Sequence, residues 1–249
     1  MDIMSNTEHP VHWIELRNVT KTYPVAGGDF TALDRVELQF SRGACVAIVG
    51  KSGSGKTTLL NLVAGIDRPT AGEVFVDGTP VHALGESQLA AWRGRHVGVV
   101  FQTFQLLPTL TVAENVMLPM DFCRTLPPAK GWARALTLLD QVGITDQADK
   151  LPSMLSAGQQ QRAAIARALA NDPQVVLADE PTGNLDSRTA EGVLELLVGL
   201  ARAGKTVLIV THERDIGQRV DRMITLHDGA ILADERHRRE GATPEDDHG

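Results

Sequence analysis

The segment Gly50-Lys51-Ser52-Gly53-Ser54-Gly55-Lys56-Thr57 restricts this chain more than any other feature. So many glycines belong in neither a strand nor a helix interior. Yet the segment lies between an apolar run, Ala44–Val49, and a helix-forming run, TTLLNLVAG. Strand, glycine-rich turn and helix in that order let backbone N–H groups converge on an anion at the positive end of a helix. The spacing is G-x-x-x-x-G-K-[S/T], the phosphate-cradling pattern. Gly50, Ser52, Gly53, Ser54, Gly55 and Thr58 are therefore expected around a bound nucleotide. Lys56 is expected to reach the β- and γ-phosphates, and the Thr57 hydroxyl to ligate Mg²⁺.

A second segment supplies negative charge. Val175–Ala178 is an apolar strand that ends in Asp179-Glu180. Ligands of parallel α/β sheets sit at the C-terminal ends of the strands. Asp179 is placed in the Mg²⁺ shell, and Glu180, projecting differently, polarises the attacking water. Phosphoryl transfer needs mainly positioning and charge neutralisation.

Around these segments the chain alternates strands and helices, which implies an α/β fold with a mainly parallel sheet. Trp13–Val19, Val36–Phe40, Ala44–Val49 and Val74–Val76 read as strands, the last running into an Asp77-Gly78 hairpin turn. From Gln102 to about Leu155 the pattern becomes helical. Thr111 to Glu114 forms a capping box, Trp132–Val142 has helical spacing and stops at Gly143, and Ser156 caps a helix through Asn171. Strands return at Val175–Ala178, Thr206–Val210 and Met223–Leu232, the last folded about Asp228-Gly229.

Bulk properties exclude several classes. The net charge of -7 argues against a nucleic-acid partner. Every apolar run is shorter than the about 20 residues a spanning helix needs, and Met1–Pro10 lacks the apolar core of a secretory signal. Cys45 and Cys123 form neither a metal spacing nor a disulfide framework. A reduced, soluble, cytosolic chain is expected.

Leu155-Ser156-Ala157-Gly158-Gln159-Gln160-Gln161-Arg162 decides among phosphate-loop classes. It resembles the L-S-G-G-Q signature of ABC proteins, departing only at Ala157, and it lies just upstream of the acidic strand, as in that family. The chain is identified by this resemblance as a member of the ABC ATPase family over about residues 12–233. The resemblance implies a P-loop NTPase fold: a RecA-like core, an N-terminal antiparallel β subdomain and an inserted helical subdomain at about 103–160. Segments 1–11 and 234–249 are expected to be flexible.

The resemblance also assigns roles. Tyr23 matches the residue that stacks on adenine, Gln102 the glutamine that joins the metal shell and catalysis, Asp186 the aspartate loop, and His212 the catalytic switch histidine. It implies a dimer with ATP sandwiched between Lys56 of one chain and Ser156, Gly158 and Gln159 of the other. The segment Gln102–Pro108 is then the dock for a membrane permease, which places the chain on the cytoplasmic face of the cell membrane. The strings LLPTLTV (106–112) and GNLDS (183–187) resemble the lipoprotein-release and macrolide-export branch. A relative of the cell-division ATPases, regulating a membrane complex without transport, is the alternative.

Overall fold

A computed structural model describes residues 12–212 and 215–237. The elements in chain order are β1 (His12–Val25), β2 (Gly28–Ser41), β3 (Cys45–Val49), α1 (Lys56–Val63), β4 (Ala71–Val76), β5 (Thr79–Pro80) and α2 (Glu86–His96). There follow β6 (Val97–Val100), α3 (Val112–Cys123), α4 (Pro128–Gln141), α5 (Ala157–Ala168), β7 (Val175–Asp179), α6 (Ser187–Arg202), β8 (Thr206–Thr211), β9 (Arg222–His227) and β10 (Ala230–Arg236).

The strands form an antiparallel sheet of order β2-β1-β4-β5 and a six-stranded sheet of order β10-β9-β3-β8-β7-β6. In the larger sheet β9, β3, β8, β7 and β6 run parallel, and β10 returns antiparallel on β9. Successive side chains of a strand point to opposite faces, and here each face has its own core. Cys45, Ala47 and Val49 of β3 pack with α3 to α6. Val46 and Ile48 pack instead with β1, β2, β4 and α1. Being buried on both faces is why these central strands read as unbroken apolar runs.

Local chemistry explains the turns. Asp77 and Gly78 have φ of 49° and 68°, and Asp228 and Gly229 have 46° and 77°. Two consecutive left-handed residues give the tight turn whose twist matches antiparallel strands. At α3 the Thr111 hydroxyl accepts from the Glu114 N–H, and the Glu114 carboxylate accepts from the Thr111 N–H at 2.7 Å. That capping arrangement holds the Glu114 carboxyl below its usual range.

The structure differs from the sequence-based expectations in several places: β2 begins at Gly28 rather than Val36, and α5 ends at Ala168 rather than Asn171. Helix α2 was not anticipated: among its residues only Leu89 and Trp92 are buried, too sparse a stripe to register as periodic. The charged tail was expected to be flexible from Asp234, but β10 continues to Arg236. Arg222 on β9 donates to both carboxylate oxygens of Asp234 at 2.6 Å, which pins the strand past the expected boundary. The expected flexible segment 1–11 and positions 238–249 lie outside the described residues.

Candidate active site

Five loops meet where the parallel strands end. Gly50–Gly55 follows β3, Gln102 follows β6, Glu180 follows β7, His212 follows β8, and the β1–β2 hairpin leans in from the other sheet. Together they line a cleft of about 490 Å³ that holds Tyr23, Ser52, Gly53, Gly55, Lys56, Thr57, Thr58, Gln102, Glu180 and His212. Two further residues of the cleft wall, Phe30 and Ala32, had no place in the sequence reading.

The glycine loop is shaped by backbone contacts that a side chain would block. Gly55 sits at φ 99°, and a Cβ there would lie 2.3 Å from the Ala32 carbonyl oxygen. A Cβ on Gly50 would lie 2.3 Å from the Leu226 carbonyl. Gly55 caps α1 without a side-chain acceptor, so the N–H groups of the first turn stay available to an anion. Lys56 is buried, and its Nζ donates to the Gly50 carbonyl at 2.9 Å and the Lys51 carbonyl at 3.0 Å. The loop is thus tied to its own cation. Ser54 is buried at 4% exposure and does not line the cleft.

Thr57, on the cleft wall, donates from Oγ1 to Oδ1 of Asp179 at 3.2 Å, although Asp179 itself does not line the cleft. Burial pushes the Asp179 carboxyl up, and the neighbouring Glu180 charge adds to this, against the opposing pull of Thr57 and Lys56. A hydroxyl facing a half-buried carboxylate is a donor set that suits a hard cation such as Mg²⁺, which takes few protein oxygens and keeps its waters. Glu180 occupies the left-handed region at φ 47°, with its N–H donating to the Val210 carbonyl. From there its Oε2 lies 2.9 Å from His212 Nδ1, pairing residues from adjacent strand ends. Gln102 is fixed by Asn184, whose Nδ2 donates to the Gln102 carbonyl at 2.9 Å. A Cβ on Gly183 would come within 2.9 Å of its Nε2.

Ser156, Gly158, Gln159 and Asp186 are absent from the cleft wall. They gather instead at the adjoining N-termini of α5 and α6. Ser156 caps α5, its hydroxyl accepting from the Gln159 N–H and the Gln159 Oε1 accepting from the Ser156 N–H at 3.0 Å. Asp186 caps α6, accepting from the Thr189 N–H and hydroxyl, which hold its carboxyl below the usual range. A Cβ at Gly158 would lie 2.3 Å from Thr189 Cγ2, so glycine is what lets the two helix ends close up.

Residues 33–183 match the family profile described as ABC transporter. The chain belongs to the ABC transporter family. It is 45% identical over 223 residues to an uncharacterized ABC transporter ATP-binding protein of Thermotoga maritima, covering 90% of this chain and 95% of that protein. The macrolide export ATP-binding/permease protein MacB of Brucella melitensis is 44% identical over 232 residues, 93% of this chain. The match covers only 36% of MacB, so this chain spans about a third of that relative's length. The dimeric ATP-binding cassette MJ0796, solved in a post-hydrolysis state with ADP and Pi, superposes with a TM-score of 0.85 at 42% identity. That superposition covers 90% of this chain and 99% of the cassette. The fold is therefore the ABC ATPase cassette, a P-loop α/β core with an antiparallel β subdomain. Among the described residues no helix is long and apolar enough to cross a membrane.

Proposed function

We propose that this chain is the ATP-hydrolysing subunit of an ABC system of the macrolide-export and lipoprotein-release branch. It dimerises on ATP and drives a separate membrane permease in the export or extraction of lipoproteins, peptides or antibiotics. One observation carries the dimer: the signature residues Ser156, Gly158 and Gln159 stand outside the chain's own cleft, at the α5 N-terminus, where Ser156 is exposed and Gly158 packs against Thr189. The α5 N-terminus there offers N–H groups of the kind that receive phosphate. A second copy would close its signature surface over the γ-phosphate held by Lys56.

In this reading the phosphates lie on the Gly50–Gly55 loop against the α1 N-terminus and the Lys56 charge. Thr57 and Asp179, joined by Gln102, would hold an Mg²⁺ ion, which would supply charge neutralisation for phosphoryl transfer. Glu180 accepts a proton from the water that attacks the γ-phosphorus. The bond to the bridging β–γ oxygen breaks, leaving ADP and inorganic phosphate. His212 holds the Glu180 carboxylate in place at 2.9 Å. Tyr23, on the cleft wall, receives the adenine.

The permease dock is assigned to the segment after Gln102. Its backbone is held rigid from behind: Arg167 donates to the Phe104 and Gln105 carbonyls, and Asn115 bonds Leu107 through both its N–H and its carbonyl. Leu107 is left exposed, as are Phe122, Trp132, Leu151 and Met154 elsewhere in the helical subdomain. A pull-down tests the proposal. Glu180→Gln is expressed in native membranes and extracted with detergent and ATP. Co-purification of a permease with few spans and a large outer domain is expected. A permease with many spans and no outer domain would move the chain to conventional transport, and recovery of the chain alone would refute the transport role.

A further inference from the structure

The residues that hold the aromatic wall of the cleft form a network outside the phosphate machinery. Lys21 and Tyr23 are two apart on β1 and so share a face of the strand. Both reach Asp67, which lies on the turn after α1. Tyr23 donates its phenolic hydrogen to Asp67 Oδ2 at 2.7 Å, and Lys21 Nζ donates to Oδ1 at 2.6 Å. The Arg68 N–H adds a third bond to Oδ1 at 2.7 Å. Lys21 also donates to the Arg68 carbonyl and stands 4.8 Å from the centre of the Tyr23 ring.

We infer that Asp67 is a positioning residue for the nucleotide base, fixing the plane of the Tyr23 ring and its distance from the phosphate loop. This rests on the reading that the cleft binds ATP. The turn carrying Asp67 is built on α1 itself, since the Ile66 and Asp67 N–H groups donate to the Asn61 carbonyl. Helix α1 begins at Lys56, so one rigid element presents the phosphate site at its start and the anchor of the aromatic ring just past its end. The base-to-phosphate spacing of a nucleotide is fixed, and a ring free to swing would match it only part of the time.

Two further observations bear on this. Phe30 is the direct cross-strand partner of Tyr23, lines the same cleft and is 49% exposed, an apolar surface that a flat base would cover. Burial pushes the Tyr23 hydroxyl up, and its bond to Asp67 adds to the shift. Burial also pushes Asp67 up, but donation from Lys21, Tyr23 and the Arg68 N–H outweighs this and keeps it ionised below the usual range. An ionised carboxylate with fixed donors is a stiff anchor.

The chain has a single tyrosine, so ring-labelled tyrosine gives one NMR signal that reports Tyr23 alone. The full chain, Asp67→Ala and Asp67→Asn are titrated with ADP and, as a base-free probe, inorganic pyrophosphate. ADP is expected to move the tyrosine signal in the parent chain and pyrophosphate to leave it nearly unmoved. Asp67→Ala is expected to bind ADP about tenfold more weakly, the scale of one strong hydrogen bond, with pyrophosphate affinity within about twofold. Asp67→Asn, whose amide oxygen still accepts from the phenol, should recover most of the loss. Unchanged ADP affinity in Asp67→Ala would overturn the inference. So would equal loss of ADP and pyrophosphate, which marks a merely structural aspartate. ADP binding to the parent chain without moving the tyrosine signal would overturn it alone. Failure of the parent chain to bind ADP would sink the nucleotide reading as well.

Discussion

Replacing Lys56 with alanine removes the buried cation of the glycine loop and is expected to weaken nucleotide binding. The ammonium has three donors, and two are committed to the Gly50 and Lys51 carbonyls. One N–H and the full charge therefore remain for the ligand. Lys56 is 7% exposed, so its attraction for phosphate is less screened than a surface lysine's. At an effective dielectric of about 20, opposite unit charges about 4 Å apart attract by about 4 kcal/mol. Losing 3–4 kcal/mol, roughly, weakens ATP binding by two to three orders of magnitude. Thermal denaturation with and without nucleotide measures both consequences. ATP at about 100 times the parent Kd stabilises the parent by about 2.7 kcal/mol, but a variant bound about 100-fold more weakly gains only about 0.4 kcal/mol. The unliganded variant should itself melt roughly 4–8 °C lower, because two loop carbonyls lose donors worth about 1 kcal/mol each. A folded Lys56→Ala chain binding ATP within about fivefold of the parent would refute the role given to Lys56.

Other consequences are as specific. Glu180→Gln keeps the side-chain shape but removes the proton acceptor, so phosphate release should fall by about 10²–10⁴-fold while nucleotide binding persists; steady-state phosphate assays read this directly. Asn115 is fully buried and bonds Leu107, Leu110 and Thr111, so Asn115→Leu should cost roughly 3 kcal/mol and lower Tm by about 6–12 °C. Arg222 holds the Asp234 carboxyl below its usual range. A depressed folded-state pKa stabilises above the unfolded value, and the benefit is lost as pH falls through the folded one. Asp234→Asn should therefore melt below the parent at pH 7, with the gap closing under acid conditions, as paired melts across pH would show.

What was legible in the sequence was local in the chain. The glycine loop, Lys56 and Thr57 are consecutive, and Asp179-Glu180 ends a run whose burial on both faces leaves it unbroken by polar residues. The Asp77-Gly78 and Asp228-Gly229 turns were readable because φ above zero is cheap for those residues. Phe30 was not readable, because its place opposite Tyr23 depends on a strand register broken by irregularities between Leu16 and Thr22. Asp67 had no place in the sequence analysis, because its partners lie 44 and 46 residues away in sequence. Gly158 was legible as part of a motif but not for its contact with Thr189, which only the packing of two helix ends creates.

If two copies of this chain share each ATP, the mass of Glu180→Gln in solution reports it. Light scattering on the purified variant is recorded with saturating ATP and Mg²⁺, and again with ADP. Twice the single-chain mass is expected with ATP and the single-chain mass with ADP. A variant that carries bound ATP and still scatters as one chain would contradict the shared site.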